Sequence, residues 1–368
     1  MGLLDKARGG FSPAHDLINA DVYNYFRVIE SAQENTVSYQ GKEIIMLGSN
    51  NYLGLTNHPR VKEAAQAAIA KYGTGCAGSR FLNGTLDIHI ELEEKLASLV
   101  GKEKALVFST GFMVNQGVLS SLVGRKETII VDRTDHASII DGARLSFADV
   151  RKFRHNDMEN LELVLESEKD TNKLIIVDGV FSMEGDIAKL PEITALAKKY
   201  DAAIMVDDAH GVGMLGEQGR GTSNHFGLTG EVDLIMGTFS KSLASVGGFV
   251  AGDADLIHYI QHIARALMFS AAMPPASVAS VSAAVDVMLD ETWRLEALWR
   301  NNDIMRERLN EAGFDTGPSA TPIIPAVVGE DMAAFKMCHR MMEKGVFVNP
   351  VVSPAVEPGN ALIRLSLM

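Results

Sequence analysis

Lys241 lies in Gly237-Thr238-Phe239-Ser240-Lys241-Ser242, just past the apolar run Val232-Asp233-Leu234-Ile235-Met236. Thirty-four positions upstream (241 − 207), a second apolar run, Ala203-Ile204-Met205-Val206, ends in Asp207-Asp208-Ala209-His210. A lysine, an acid and a histidine at the ends of buried strands are what pyridoxal phosphate (PLP) chemistry requires. The amine holds the aldehyde as an imine, and a carboxylate keeps the pyridine nitrogen protonated so that the ring accepts electrons. A plain surface lysine is the competing reading, since lysines are mostly exposed. The hydroxyls of Thr238, Ser240 and Ser242, which suit a phosphate, and the nearby Gly247-Gly248 favour the imine role. Strand alternation sends Asp207 and Asp208 to opposite faces, so one carboxylate is expected at the ring. We assign Asp207 to it, and His210 to a hydrogen bond with the cofactor's phenolic oxygen. Asp-Asp-x-His also has the look of a metal ligand set, but no second cluster accompanies it, and no metal is expected.

Other candidates sit at similar places. His136, in Asp135-His136-Ala137-Ser138, follows the apolar segment 129–132. An imidazole there is placed to stack on a cofactor ring and to act as acid or base near neutral pH. Ser109-Thr110-Gly111-Phe112 ends a strand-like run and opens a helical pattern, and the N–H groups of a helix start bind phosphate. Ser182, in Val180-Phe181-Ser182-Met183-Glu184-Gly185-Asp186, is a possible donor to the ring. Arg364 is a lone cation inside Leu362-Ile363-Arg364-Leu365-Ser366. It calls for a carboxylate, either that of a substrate amino acid held bidentately or an internal partner. Gly73-Thr74-Gly75-Cys76-Ala77-Gly78 matches G-x-G-x-x-G, yet a helical pattern precedes it and a loop follows, so it is not a dinucleotide fingerprint. A glycine-rich loop near a ligand or a partner subunit is expected there instead.

These residues need a frame. Strand-like runs at 105–109, 128–132, 174–178, 203–207, 232–238 and 248–252 alternate with helical patterns, which predicts an α/β domain with a mostly parallel sheet. Asn156 with Glu159 suggests a capping box for a helix through 168. Long helical stretches at 276–289 and 291–312 are followed, after Gly313, by a restart of the pattern: a strand-like run at 323–328, a helix at 332–344 and strands at 345–348 and 361–366. The expected division is an N-terminal segment 1–48, a large domain 49–289 and a smaller C-terminal domain 290–368. The chain has 368 residues, 46% hydrophobic and 22% charged, as a folded enzyme would. A net charge of −13 argues against a nucleic-acid partner. Cys76 and Cys338 are the only cysteines, which fits the reducing cytoplasm and excludes a disulfide scaffold. Residues 1–10 lack the apolar core of a signal peptide, and no apolar run reaches the ~18 residues of a membrane span. Peripheral contact with a membrane is left open.

Taken together, the motifs resemble the α-oxoamine synthases, PLP-dependent enzymes of fold type I. The resemblance runs from Ser49-Asn50-Asn51-Tyr52-Leu53-Gly54-Leu55 to Arg364. Segments 72–85, 135–142, 237–242 and 349–356 are most similar to the bacterial branch that joins L-serine to palmitoyl-CoA. It implies a large domain around a mostly parallel seven-stranded sheet plus a smaller α+β domain. The implied activity is an acyl transfer: decarboxylative Claisen condensation of L-serine with a long-chain acyl-CoA to 3-oxosphinganine, which opens sphingolipid synthesis. It also implies a homodimer with shared active sites. Lys241 matches the imine lysine and remover of the Cα proton, Asp207 the pyridinium partner, and His136 the stacked histidine. Thr238, Ser240 and the backbones of Gly111 and Phe112 match phosphate contacts, and Ser270 is implied to reach the phosphate of the neighbouring subunit. Arg364, with Asn50 and Tyr52, is implied to bind the substrate. Sister branches use glycine or alanine, and a PLP aminotransferase would share Lys241 and Asp207. Two departures stand out: Gly211 replaces the serine common in the serine-using branch, and the C-terminal helix expected after Met368 is absent.

Overall fold

The computed structural model describes residues 4–5 and 12–368. Thirteen strands are found among them: β1 (Thr36–Tyr39), β2 (Lys42–Met46), β3 (Lys104–Phe108), β4 (Thr128–Asp132), β5 (Asp149–Phe153), β6 (Lys173–Asp178), β7 (Ala203–Asp207), β8 (Leu234–Thr238), β9 (Gly248–Gly252), β10 (Ile323–Gly329), β11 (Val346–Phe347), β12 (Asn349–Val351) and β13 (Ala361–Ser366). Seven of them form one sheet in the order β3-β9-β8-β7-β6-β4-β5. Only β9 runs against its neighbours. Strands β4, β6 and β8 are buried along their whole length, as a parallel sheet covered on both faces demands.

Period-2 alternation divides these strands between two cores. Ile130, Ile175, Val177, Ile204 and Val206 pack on one face. Ile129, Val131, Leu174, Ile176 and Met205 pack on the other. All six strand-like runs are found within two residues of their predicted limits. The seventh strand, β5, escaped prediction because it is an edge: of Asp-Val-Arg-Lys-Phe only Phe153 is buried. The predicted cap at Asn156 is corrected. Asp157 caps the helix Met158–Ser167, its Oδ1 accepting the Asn160 N–H at 2.9 Å. The Asn156 amide instead donates to Asp186 Oδ2 and to the Ile187 carbonyl.

Towards the C-terminus, Pro275–Asp290 breaks before a second long helix, Trp293–Glu311. β10, β13 and β12 form a three-stranded antiparallel sheet, with helix Asp331–Glu343 lying against it. A third sheet, β1-β2-β11, joins residues 36–46 to the C-terminal part through the parallel pair Ile45 with Val346. No helix among the described residues is long and apolar enough to cross a membrane.

Candidate active site

The carboxyl ends of β4, β6, β7 and β8 point to one side of the sheet, where open α/β sheets place ligands. A cavity of about 320 Å³ lies there. Of the predicted site residues, Lys241, His136, Asp207, His210, Gly111, Phe112, Ser182, Thr238 and Ser240 line it. Asn50, Tyr52 and Arg364 form a polar group joined to it through His210. Ser270 does not line it. That residue is half-buried beside Ala271, whose carbonyl accepts the Ser109 hydroxyl at 2.5 Å.

Asp207 ends β7 with 3% exposure. Its Oδ2 accepts the Asn115 amide at 2.7 Å and its Oδ1 accepts the Ala209 N–H at 3.1 Å. Asp208 turns to the other face, as alternation requires, and accepts both the N–H and the hydroxyl of Thr222 at 2.7 and 2.6 Å. Burial raises its pKa to about 6. Gly211 now has a physical reason: a Cβ there would lie 1.9 Å from Asp208 Oδ1 and 2.5 Å from Thr222 Oγ1.

Lys241 is half-buried; its carbonyl accepts the Ala244 N–H at 3.1 Å, and its amine makes no hydrogen bond or ion pair among the described residues. Burial lowers its amine to about 8, against the pull of Asp207 and Asp178 and with help from Arg364. Roughly a tenth of the amine is therefore unprotonated at pH 7, far more than for an ordinary lysine near 10.5. Asp178, at the end of β6, accepts the His136 N–H at 3.2 Å. Burial, and then the charges of Asp207 and Asp135, push its carboxyl well up.

His136 caps the helix Ala137–Ser146. Its Nδ1 accepts the Ser138 N–H at 3.3 Å, which leaves the ring proton on Nε2. Asn115 Nδ2 donates to Ser138 Oγ at 2.8 Å, and that hydroxyl turns its own proton to His136 Nδ1 at 2.7 Å. Burial lowers the His136 pKa, and Lys241 adds to this while Asp207 opposes it, so the ring is neutral. His210 is buried beside Lys241, Arg364 and His136, and its pKa is driven well down, by burial first. Its Nδ1 lies 2.7 Å from the Tyr52 hydroxyl.

Arg364, 7% exposed, is held entirely by neutral groups. Its Nε donates to the Ser182 carbonyl at 2.5 Å. Nη1 donates to Asn50 Oδ1 at 3.0 Å and to Ser366 Oγ at 2.5 Å, and Nη2 to the Tyr52 hydroxyl at 3.4 Å. No carboxylate pairs with it among the described residues. The internal salt bridge that was one alternative is not there.

Asn115, Ser138 and Asp178 were not foreseen. Asn115 sits one turn after Gly111 on the same helical face, and a fully buried amide in an apolar helix is the signal that marks it. The residues fit PLP. Thr110 caps helix Gly111–Leu122, accepting the Met113 N–H, and opens the helix start towards the cavity. A Cβ at Gly111 would lie 2.6 Å from Thr238 Oγ1, so the cradle at that helix start exists only because residue 111 has no side chain. The 73–78 loop follows helix Pro59–Tyr72, not a strand, in agreement with its rejection as a nucleotide loop.

Fold and site together describe a PLP enzyme of the aminotransferase type, and the comparisons agree. The pattern of the family "Aminotransferase class I and II" matches residues 42–368. The chain is 55% identical to the serine palmitoyltransferase of Sphingobacterium spiritivorum, covering all of this chain and 92% of that protein. It is 56% identical to that of Bacteriovorax stolpii, covering 99% and 89%. A solved serine palmitoyltransferase from S. paucimobilis, with PLP and myriocin bound, superposes with a TM-score of 0.96 at 36% identity, covering 100% of this chain and 94% of that one. The chain belongs to the class I and II aminotransferase family and, within it, to the α-oxoamine synthases that its motifs resemble.

Proposed function

We propose that this enzyme condenses L-serine with a long-chain acyl-CoA such as palmitoyl-CoA, releasing CoA and carbon dioxide and forming 3-oxosphinganine, at the entry to sphingolipid synthesis. The observation that carries it is Arg364, a buried guanidinium whose protein partners are all uncharged. Such a cation is completed by the carboxylate of an amino-acid substrate. The high identity to serine palmitoyltransferases favours serine and a long acyl chain over the glycine- or alanine-using branches.

When bound, PLP supplies an electron sink for charge developing at the substrate Cα. Lys241, Asp207, His136, His210 and Ser182 would hold its ring and aldehyde. Thr238, Ser240 and the Gly111 and Phe112 backbones would hold its phosphate, with Ser270 reaching across from the partner of a homodimer. Asp207, fixed by Asn115, keeps a negative charge at the ring nitrogen. Arg364, Asn50 and Tyr52 orient the substrate carboxylate. Lys241, with its amine near pKa 8, removes the Cα proton and later returns one. His136, with its proton on Nε2, donates a hydrogen bond to the carboxylate or to the thioester oxygen as that gains charge. In this reading residues 49–289 hold the cavity and 290–368 bring Arg364 to it. We place the homodimer in the cytoplasm, its two cysteines unpaired, meeting its lipid substrates by peripheral membrane contact.

The test is to combine purified enzyme, PLP and each of serine, glycine and alanine with acyl-CoAs of several lengths, measuring thiol release and product mass. Serine with a C16 donor is expected to dominate, and Lys241→Ala to abolish product. A preference for glycine or alanine, or turnover by Lys241→Ala, refutes the assignment.

A further inference from the structure

The turn after β6 carries more than Ser182. Phe181 N donates to the Asp186 carbonyl at 3.0 Å, Gly185 N to the Phe181 carbonyl at 2.9 Å, and Val180 bridges to Ile187. On one side, the Ser182 carbonyl holds Arg364 Nε. The Gly185 carbonyl also accepts the Thr321 hydroxyl at 2.8 Å and the Ala320 N–H at 3.0 Å. Gly185 has φ of 69°, and a Cβ there would lie 2.1 Å from the Ile323 carbonyl oxygen. One tight turn thus touches both the cavity and the strands that bear Arg364.

On its other side the turn is held by His155, which follows β5. Its Nδ1 lies 3.1 Å from Asp132 Oδ1 and its Nε2 lies 3.0 Å from Asp186 Oδ2. The ring stands edge-on to Phe181, with centroids 4.5 Å apart and planes at 87°. A neutral imidazole has a single N–H, whereas carboxylates at both nitrogens require two donors. Thr134 does not alter this. Its hydroxyl already donates to Asp132 Oδ1, so towards Nδ1, at 2.8 Å, it accepts. The ring is therefore an imidazolium, and although burial opposes the charge, the two carboxylates raise its pKa to about 10. Asp132 and Asp186 are the titratable groups bonded to it, and Glu184 is half-buried on the same turn.

We propose that His155 is a positioning residue for the amino-acid substrate: its cation clamps the Phe181–Asp186 turn between Asp132 and Asp186, and the Ser182 carbonyl of that turn sets the Arg364 guanidinium. The inference rests on the reading that Arg364 binds the substrate carboxylate. None of the clamp residues touches the reacting atoms.

The test uses full-length, PLP-loaded His155→Gln, Asp186→Asn and Arg364→Lys. His155→Gln is expected to raise the KM for L-serine, and its calorimetric Kd, about tenfold, a typical coupling between neighbouring groups. The KM for acyl-CoA and the PLP affinity stay unchanged, and kcat at saturating serine stays within about twofold. Combined with Arg364→Lys, its effect is less than multiplicative. A lowered melting temperature with an unchanged serine Kd means a structural role only and overturns the proposal. If His155→Gln does not fold, Asp186→Asn, which keeps the Asp132 contact, is held to the same serine criterion. If Arg364→Lys itself leaves serine binding untouched, the reading of Arg364 fails, and that outcome is distinct from a failure of the clamp. In the unloaded enzyme the His155 Cε1–H resonance is expected to titrate above pH 9. A midpoint near the ordinary histidine value of about 6.5 overturns the clamp.

Discussion

Replacing Gly111 by alanine separates cofactor binding from folding. The new methyl would stand 2.6 Å from Thr238 Oγ1, 2.9 Å from Thr238 Cβ and 3.3 Å from Met236 Cε. Both neighbours lie on β8, whose backbone is fixed by β7 and β9, so the strain falls on side chains. Overpacking of this kind costs about 1–3 kcal/mol. With an unfolding entropy of about 2.1 cal/mol/K per residue, 368 residues give roughly 0.8 kcal/mol per degree, so the unloaded protein should melt about 1–4 °C lower. A second effect is confined to the loaded state. The methyl, or a displaced Thr238, fills the space at the helix start and removes one charge-assisted bond to the phosphate, worth about 1.5–3 kcal/mol. The PLP Kd should rise about 10- to 150-fold. Gly75, in the loop that imitates a dinucleotide motif, has nothing within 4 Å of a built Cβ. Gly75→Ala should leave the PLP Kd unchanged. Kd is read from PLP absorbance titrations, and melting from calorimetry of unloaded protein. A Gly111→Ala enzyme that binds PLP as tightly as the parent refutes the placement of the phosphate at this helix start.

Two further predictions concern pH. Asp208 is fully buried, with a pKa of about 6 against 3.8 unfolded, so between these values the native state holds more protons than the unfolded chain. Its contribution to stability therefore falls as pH rises from about 4 to 6, by on the order of 3 kcal/mol, and denaturant titrations of Asp208→Asn should lack that decline. His155 has the opposite sign: its pKa of about 10 lies above the unfolded 6.5, so its contribution is full below pH 6.5 and is lost as pH climbs through 10. The stability gap between parent and His155→Gln should be widest near neutrality or below and should close towards pH 10, and a pH-independent gap would contradict the cationic ring.

Much of this site was legible because buried parallel strands are continuous apolar runs that end abruptly. Where the apolar stretches of β7 and β8 give out, Asp207 and, three residues past the end of β8, Lys241 are committed to the sheet's carboxyl edge, so chemistry and position were read from the same few letters. Arg364 was visible for a related reason: a charge inside Leu-Ile-x-Leu cannot hide in solvent. What stayed hidden was whatever depends on distant parts of the chain. β5 is an edge strand with one buried residue, and its pattern carries no apolar signal. Asn115 reads as an unremarkable polar residue in a helix until the fold sets Asp207 against it, 92 positions away. The capping prediction failed because Asn156 was wanted elsewhere: its amide closes on Asp186, and Asp157 is left to cap.

Three strands end in aspartate, and their fates show how environment assigns chemistry to identical side chains. Asp207 accepts one amide proton from Asn115 and a backbone N–H, and faces a cavity that holds an amine. Asp178, one strand over, has its carboxyl pushed well up, by burial first and then by the charges of Asp207 and Asp135. Asp132, a further strand away, is met by the His155 cation and by the N–H groups of Thr134 and Asn156, and its pKa is lowered although burial opposes it. From one sheet edge come a carboxyl that faces the cavity, a neighbour that accepts the His136 backbone N–H, and an anchor for the turn beneath Arg364. Exchanging the roles of any two would require moving their partners on other elements, which is why the strand-end aspartates alone do not define this site and their partners do.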